Sequence, residues 1–173
     1  MGKILGDSSM KEIERKWIVS LTDEVREILM QGGIEIKDYY FNQYTRLRNY
    51  NGEWFITIKG EGTLIRDEYE FKIDKSQINF LPTPQLIKKR VPFEYKNQKF
   101  ELNVFRDIPA LNKKTDKCHN LILAEIELSS SDEKVEIPEF FSIEVTNDKR
   151  FYGYNLLKSL EKYQQSHYGD IKF

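Results

Sequence analysis

Hydrophobic and polar residues alternate one by one along many short stretches of this chain, which is the pattern of half-buried β-strands. The Asn51-Gly52 pair between two of these stretches is a strong signal for a β-hairpin. The sequence therefore predicts a mainly β, antiparallel protein in which about eight strands form a barrel or a sandwich. The predicted strands cover residues 12–19, 37–49, 53–59, 68–74, 86–95, 99–106 and 121–128, with a short one at 142–145.

Helical periodicity appears in two segments that flank the strands. Residues 22–31 carry an apolar stripe behind a capping Thr22, and two glycines follow them. Residues 153–166 repeat the helical pattern near the C-terminus. A short third helix is predicted over residues 75–84, where prolines end it. The remaining polar stretches are predicted loops, at residues 60–66, 107–120 and 129–134.

Length and composition exclude several classes of protein. The 173 residues fit one domain, which we place at residues 10–173 after a loose leader or expression remnant at residues 1–9. A single cysteine provides neither a disulfide framework nor a cysteine-based zinc site. No apolar run is long enough for a membrane span or a signal peptide, so cytoplasmic residence is the expectation. With 27 basic and 28 acidic residues, the chain lacks the bulk positive charge that binds nucleic acid or membranes.

Charged residues occupy the polar face of the predicted strands with unusual regularity. For one strand, exposure to water explains such a face. Across seven strands, however, pairs of Arg or Glu recur with few neutral polar residues between them, which favours a charged barrel interior. Charges inside a barrel are costly unless they pair or meet ligands of opposite sign. The basic residues of this face are Lys16, Arg46, Arg48, Lys59, Lys72, Lys88 and Arg90, and the acidic ones are Glu12, Glu14, Glu68, Glu70, Glu101, Glu125 and Glu127.

The two charge types on this face indicate one kind of ligand. Arginine and lysine bind phosphate oxygens. Carboxylates without neighbouring histidine or cysteine suit Mg²⁺ or Mn²⁺, which prefer oxygen ligands. Together they predict a site for a metal–polyphosphate complex. His119 and His167 stand apart from this pattern, and Gly60-Glu61-Gly62 lacks the ending of a phosphate-binding loop, so we interpret it as a hairpin turn.

The order of these charged motifs resembles that of the CYTH superfamily, also called triphosphate tunnel metalloenzymes. Its E-x-E-x-K signature matches Glu12, Glu14 and Lys16, and the resemblance runs from there to about Leu157. The sequence departs from the family at Asn103, where an acidic residue is frequent, and at Gly153, where asparagine is. The other motifs are R-x-R at Arg46 and Arg48, T-x-K-G at Thr57 to Gly60, E-x-E at Glu68 and Glu70, K-x-R at Lys88 and Arg90, E-x-E at Glu125 and Glu127, and E-V-T at Glu144 to Thr146.

The resemblance implies an eight-stranded antiparallel barrel with a charged tunnel, a few flanking helices and defined roles for its charged residues. The catalytic set would be Glu12, Glu14, Lys16 and Lys59. The phosphate-binding set would be Lys16, Arg46, Arg48, Lys59, Lys88 and Arg90. The ligands of Mg²⁺ or Mn²⁺ would be Glu12, Glu14, Glu125 and Glu127. Glu68 and Glu70 would bind a second metal or orient neighbouring basic side chains.

The expected activity is metal-assisted hydrolysis of inorganic tripolyphosphate to diphosphate and phosphate, with water attacking in line. The short chain leaves little room for an element that recognises a base. Adenylate cyclase and thiamine triphosphatase are the alternatives within the family, and a noncatalytic polyphosphate binder or a lipocalin-like carrier are the alternatives outside it. We expect a small-molecule triphosphate (tripolyphosphate, ATP or thiamine triphosphate) as partner, neither nucleic acid nor membrane, and a monomer or homodimer.

Overall fold

The computed structural model of the protein describes residues 10–112 and 117–168. Its helices are α1 (Asp23–Met30) and α2 (Gly153–Tyr168), and single 3₁₀ turns lie at Lys75–Gln77 and Lys149–Phe151. Its strands are β1 (Met10–Val19), β2 (Ile34–Tyr40), β3 (Thr45–Tyr50), β4 (Glu53–Lys59), β5 (Ile65–Ile73), β6 (Leu86–Tyr95), β7 (Gln98–Asn112), β8 (Lys117–Glu127) and β9 (Phe141–Glu144).

The first eight strands form a closed antiparallel barrel. Their order in the sheet is β5-β4-β3-β2-β6-β7-β8-β1, and β1 also pairs with β5, which joins the two ends of the sheet. Strand β9 lies outside the closed barrel and pairs with the second half of β1, whose first half pairs with β5. The barrel predicted from the sequence is therefore confirmed, and the sandwich is not formed. The barrel places β2, β3 and β6 on one side and β1, β5 and β8 on the opposite side.

The hydrophobic core lies mainly outside the barrel, because the inward strand faces are charged. Helix α1 and the segment that leads into β9 cover one part of the outer wall, where Trp17, Phe100 and Phe141 pack with ring centroids 5.4 to 6.5 Å apart. The N-cap of α1 is Thr22, as predicted, and its side chain accepts a hydrogen bond from the N–H of Val25. No helix of the described residues is long and apolar enough to cross a membrane.

Helix α2 packs into one end of the barrel. Its Leu156 and Leu157 belong to a buried cluster with Leu86 and Phe105. These two strand residues lie on the same strand faces as the charged interior residues, since each is two positions from an inward one. The helix therefore covers part of the barrel end where β6 begins, which is also the end of the β2–β3 and β4–β5 connections.

The single strand predicted over residues 37–49 is wrong, because the chain turns between β2 and β3. The side chain of Asn42 accepts hydrogen bonds from the N–H groups of Tyr44 and Thr45 at 2.8 and 2.9 Å. An asparagine that satisfies the backbone in this way makes a tight turn without glycine or proline. The turn separates two strands that would otherwise be one hydrophobic–polar run.

Two further predictions of secondary structure are corrected. The predicted loop at 107–120 is largely strand, since β7 continues to Asn112 and β8 begins at Lys117, beyond a register shift between Val104 and Pro109. Backbone pairing resumes beyond the shift, from Pro109 with Asn120 to Asn112 with Lys117, in a stretch that lacks strict hydrophobic–polar alternation. The predicted helix at 75–84 is only a 3₁₀ turn, since its prolines lack the N–H groups that a helix needs.

Candidate active site

The barrel encloses a tunnel-like cavity of about 500 Å³ with a charged lining. This confirms that the charged strand faces point inward, and a lipocalin-like carrier with an apolar lumen is excluded. The prediction is wrong for Lys72, which pairs with Glu53 at the surface near the end of β5 and does not line the cavity. All of the predicted site residues line the cavity: Glu12, Glu14, Lys16, Arg46, Arg48, Lys59, Glu68, Glu70, Lys88, Arg90, Glu125 and Glu127. Two opposite surfaces can be distinguished, which we call the basic wall (β2, β3 and β6) and the acidic wall (β1, β5 and β8).

The basic wall is organised around a carboxylate that the sequence analysis did not identify. Asp38 on β2 is 1% exposed, and Arg48 donates to its two oxygens from Nε and Nη2 at 2.7 and 2.8 Å. Arg46 lies 3.7 Å from the same carboxylate. Burial opposes the charged form of Asp38, but Arg48 and Arg46 outweigh it and hold its pKa far below the usual range. Asp38 therefore fixes two phosphate-binding candidates in place.

Several donors on the basic wall remain available to an anion. Arg48 uses two donor nitrogens on Asp38, whereas Nε of Arg46 is buried without a hydrogen-bond partner. Lys88 is 5% exposed and forms no ion pair with any described residue; its ammonium lies 5.5 Å from the ring of Phe105. Burial and the neighbouring Arg90 lower its pKa well below the usual lysine value. A polyanion would supply the charge that this wall lacks.

On the acidic wall, Glu12 binds two cations at once. Lys59 donates to it at 2.9 Å and Nε of Arg66 at 2.7 Å. Lys59 also pairs with Glu68 at 2.6 Å, so Glu68 orients this lysine in the structure. Glu70 lies two residues after Glu68 on the same face of β5, and it accepts a hydrogen bond from the buried hydroxyl of Thr57 at 3.0 Å.

A second cluster of the acidic wall connects β1 and β8. Lys16 lies 3.0 Å from Glu125 and 3.4 Å from Glu14. Burial disfavours the charged lysine, but these two carboxylates raise its pKa above the usual value. The fully buried Asn103 extends the cluster, because it accepts from Arg90 at 3.0 Å and donates to Glu125 at 3.0 Å. Both ends of the Asn103 amide are thus used within the protein, which explains how a neutral residue fits a position that is often acidic in the family.

Glu127 differs from the other carboxylates of the acidic wall. It forms no ion pair and no side-chain hydrogen bond with any residue in the described part of the chain. Partial burial and the charges of Glu12 and Glu14 raise its pKa above the usual value. Negative charge therefore accumulates at this point of the wall, which is the electrostatic condition for binding a cation.

The donor set of the acidic wall fits Mg²⁺ or Mn²⁺ in its chemistry, since it consists of carboxylate oxygens alone. Within residues 10–112 and 117–168, however, no three acidic, histidine or cysteine side chains converge in an arrangement that could hold an ion. Three of the proposed ligands are bound to basic side chains instead, Glu12 to Lys59 and Arg66, and Glu14 and Glu125 to Lys16. Binding a metal would require these carboxylates to exchange their basic partners for the ion.

The sequence analysis missed Asp38, Arg66 and Tyr152. Arg66 precedes Glu68 by two positions and so shares its strand face, a signal that could have identified it. Asp38 lies between Lys37 and Tyr39 in a strand whose end was not recognised. Tyr152 belongs to no strand, and it lines the cavity only because α2 packs into the barrel end. His119 is not among the residues that line the cavity, and the side chain of His167 lies outside the described part of the chain.

Comparison with known proteins identifies the family of the chain. No protein-family model matches the chain. The inorganic triphosphatase of Acetivibrio thermocellus is 30% identical over 158 residues, which cover 86% of this chain and 94% of the relative. The inorganic triphosphatase of Nitrosomonas europaea is 33% identical over 166 residues, which cover 87% and 99%. The crystal structure of the inorganic triphosphatase NE1496 matches with a TM-score of 0.52 and 29% identity over 84% of this chain and 97% of that one. The chain therefore belongs to the CYTH superfamily of triphosphate tunnel metalloenzymes.

Proposed function

We propose that this protein hydrolyses inorganic tripolyphosphate to diphosphate and phosphate, with Mg²⁺ or Mn²⁺ as cofactor. The observation that carries the proposal is the division of one tunnel into two facing walls, each with a charged residue that forms no ion pair with any described residue. On the basic wall this residue is Lys88, and on the acidic wall it is Glu127, which also lacks a side-chain hydrogen bond to any described residue. The relatives named as inorganic triphosphatases support the same substrate class.

Different side chains bind the phosphate oxygens and stabilise the charge that develops during the reaction. Arg46, Lys88 and Arg90 bind phosphate oxygens from the basic wall, while Asp38 keeps Arg48 and Arg46 from rotating away. Lys16 and Lys59 contact the triphosphate from the opposite side of the tunnel. They stabilise the negative charge that develops on the transferring and leaving phosphate groups. Fixed donors of this kind lower the barrier because they need no reorganisation during the reaction.

The metal ligands and the nucleophile follow from the same arrangement. Glu12, Glu14, Glu125 and Glu127 would hold the cation, which supplies charge neutralisation on the phosphate oxygens. A water molecule attacks the terminal phosphorus in line, the bridging P–O bond breaks, and diphosphate leaves. No protein nucleophile is required, so the absence of a serine or cysteine dyad from the predicted site is expected.

A phosphate-release screen tests the proposal. Purified protein is assayed with tripolyphosphate, ATP and thiamine triphosphate, each with Mg²⁺, with Mn²⁺ and with a chelator, and the ATP products are separated to detect cyclic AMP. We expect the highest kcat/KM with tripolyphosphate and no activity with the chelator. Lys59→Met should remove most of this activity.

Lys72→Met is the matched control for Lys59→Met. Lys72 lies on β5, pairs with Glu53 at the surface and does not line the cavity. Its removal should leave the rate within about twofold of the parent. Phosphate release that persists in the chelator, or an unchanged rate in Lys59→Met, would show that the proposed chemistry is wrong.

A further inference from the structure

The cavity opens at the end of the barrel where α2 is seated. The lining residues that lie outside the β-strands come from three segments, at residues 43–44, 60–63 and 149–155. The first two are the β2–β3 and β4–β5 connections, which lie at the same end of an antiparallel barrel. The third leads into α2. We call these three segments the mouth of the tunnel.

The β4–β5 connection is tied to both other segments of the mouth by a tyrosine hydrogen bond on each side, and we call these two hydrogen bonds the ties. The hydroxyl of Tyr44 donates to Oε1 of Glu61 at 3.1 Å, and the hydroxyl of Tyr152 donates to the carbonyl oxygen of Gly62 at 3.2 Å. Gly62 itself has φ +135°, and a Cβ at this position would lie 2.2 Å from the carbonyl oxygen of Ile65. The connection therefore depends on glycine for its path and on two tyrosines for its position.

Tyr152 also connects the mouth to the acidic wall. The guanidinium of Arg66 lies 5.6 Å from the centre of the Tyr152 ring, in a cation–π contact, and Nε of Arg66 donates to Glu12 at 2.7 Å. The ring thus contacts the side chain that holds Glu12, one of the carboxylates that we assign to the metal. A group that enters beside the phosphate chain has to displace Tyr152 or pass around it.

Helix α2 leaves little space on the other side of the mouth. A Cβ on Gly153 would lie 1.9 Å from the hydroxyl oxygen of Tyr40, so only glycine allows the helix to begin this close to β2. Tyr40 in turn packs edge-on against Tyr154, with ring centroids 6.0 Å apart. This contact explains the family departure at Gly153, because the Tyr40 hydroxyl occupies the space of a side chain there.

From this geometry we infer that Tyr152 and the tied β4–β5 connection determine substrate choice, favouring an unsubstituted triphosphate over an organic one. The inference rests on the proposed function. A bare tripolyphosphate needs only the charged walls, whereas a nucleoside triphosphate has to place its ribose and base in the mouth. The tied mouth occupies that space. Tyr152 is therefore a specificity-determining residue that acts by position and does not contact the reacting phosphorus.

The test compares kcat/KM for tripolyphosphate with kcat/KM for ATP in matched variants. Tyr152→Ala removes the ring and the tie, and we expect the ratio of the two values to fall at least tenfold, chiefly through faster ATP hydrolysis. Tyr152→Phe removes only one hydrogen bond, so a fall of about threefold is expected. Tyr69→Phe, on the outer face of β5 and away from the cavity, should leave the ratio unchanged.

The ratio separates specificity from damage to the fold, because a structural defect lowers both values together. An unchanged ratio in both Tyr152 variants would overturn the inference while leaving the proposed function in place. If the parent protein does not hydrolyse tripolyphosphate, the proposed function fails instead. Should Tyr152→Ala not fold, Tyr152→Phe and Tyr44→Phe decide, since each removes one of the two ties and each should lower the ratio.

Discussion

The two walls of the tunnel balance their charges in opposite ways. The basic wall contains one carboxylate, Asp38, which is buried and binds Arg48 through two hydrogen bonds. The acidic wall contains the cations Lys16 and Arg66, and Lys59 of the adjoining strand β4 binds its Glu12 and Glu68. Each wall therefore includes a minority of the opposite charge, without which a folded barrel with so many buried charges would be too costly.

The difference between the walls shows which groups serve the fold and which are available to a ligand. On the basic wall the minority charge holds arginines in fixed positions, and Lys88 is left without an ion pair among the described residues. On the acidic wall the minority charges occupy most carboxylates, and Glu127 is left with neither an ion pair nor a side-chain hydrogen bond among the described residues. A metal–triphosphate complex carries both of the charges that these two residues need.

Removing the carboxylate of the basic wall should have the largest effect on stability. Asp38→Asn leaves Arg48 buried without its partner, and breaking a buried ion pair costs about 3–5 kcal/mol of unfolding free energy. Urea denaturation measures this loss. Tripolyphosphate should restore more stability to the variant than to the parent, because it replaces the missing negative charge.

The matched control for Asp38→Asn is Glu53→Gln, which breaks the exposed pair with Lys72. Exposed ion pairs contribute about 0–1 kcal/mol, so this variant should unfold close to the parent. Equal losses in the two variants would mean that Asp38 has no special role in holding the basic wall.

Replacing Lys88 should lower activity without lowering the stability of the fold. Lys88→Met is expected to lower kcat/KM for tripolyphosphate by about 100-fold, since one strong charge-assisted contact to the transferring group is lost. The free protein should at the same time melt a few degrees higher, because a buried cation without an ion pair is replaced by an apolar side chain.

Lys89→Met is the control on the neighbouring position. Lys89 lies on the outer face of β6 and donates to the carbonyl oxygen of Leu29. Its loss should leave kcat/KM within about twofold and should not raise the melting temperature. A lower melting temperature in Lys88→Met would contradict the view that this lysine is retained for a ligand.

Glu127→Gln should have the smallest effect on stability, with a defined pH dependence. The folded-state pKa of Glu127 is raised, so its repulsion with Glu12 and Glu14 is fully present above that pKa. Below the ordinary glutamate pKa the group is protonated in both states and contributes nothing. The variant should therefore melt slightly higher than the parent at neutral pH, by a few degrees at most, and the gain should vanish as the pH falls through the raised pKa.

Melting curves between pH 4 and pH 8 check the stability of Glu127→Gln, and titration with Mn²⁺ checks its metal affinity. We expect weaker Mn²⁺ binding than in the parent at neutral pH, since a carboxylate oxygen is a better ligand than an amide. Glu133→Gln, outside the cavity, is the control for both measurements. A gain in stability that grows at low pH would contradict the assigned repulsion.

Much of the fold and the site could be predicted because the barrel obeys the period of two. Residues such as Glu68 and Glu70 point inward simply because they alternate with apolar neighbours. The charge of a side chain, however, does not show with which residue it forms an ion pair. The sequence analysis did not pair Asp38 with Arg48, because the β2–β3 turn that makes them cross-strand neighbours was not recognised. It did not show that Lys59 also binds Glu12, because that contact forms only when β1 closes the barrel against β5.

The unpredicted parts share one physical cause, which is dependence on three-dimensional placement rather than periodicity. Asn42 ends a strand through side-chain hydrogen bonds to its own backbone, and periodicity does not record such bonds. Tyr152 becomes part of the site because α2 enters the barrel end. Gly153 is explained only by the approach of the Tyr40 hydroxyl from another element.

The most direct test of the two-wall account is a crystal structure of the protein with Mn²⁺ and a slowly hydrolysed tripolyphosphate analogue. The account predicts anomalous manganese signal beside Glu127 and Glu14, with phosphate oxygens within hydrogen-bond distance of Lys88 and Arg46 on the opposite wall. Manganese and phosphate bound together on the outer surface, or a phosphate chain that contacts only one wall, would contradict it.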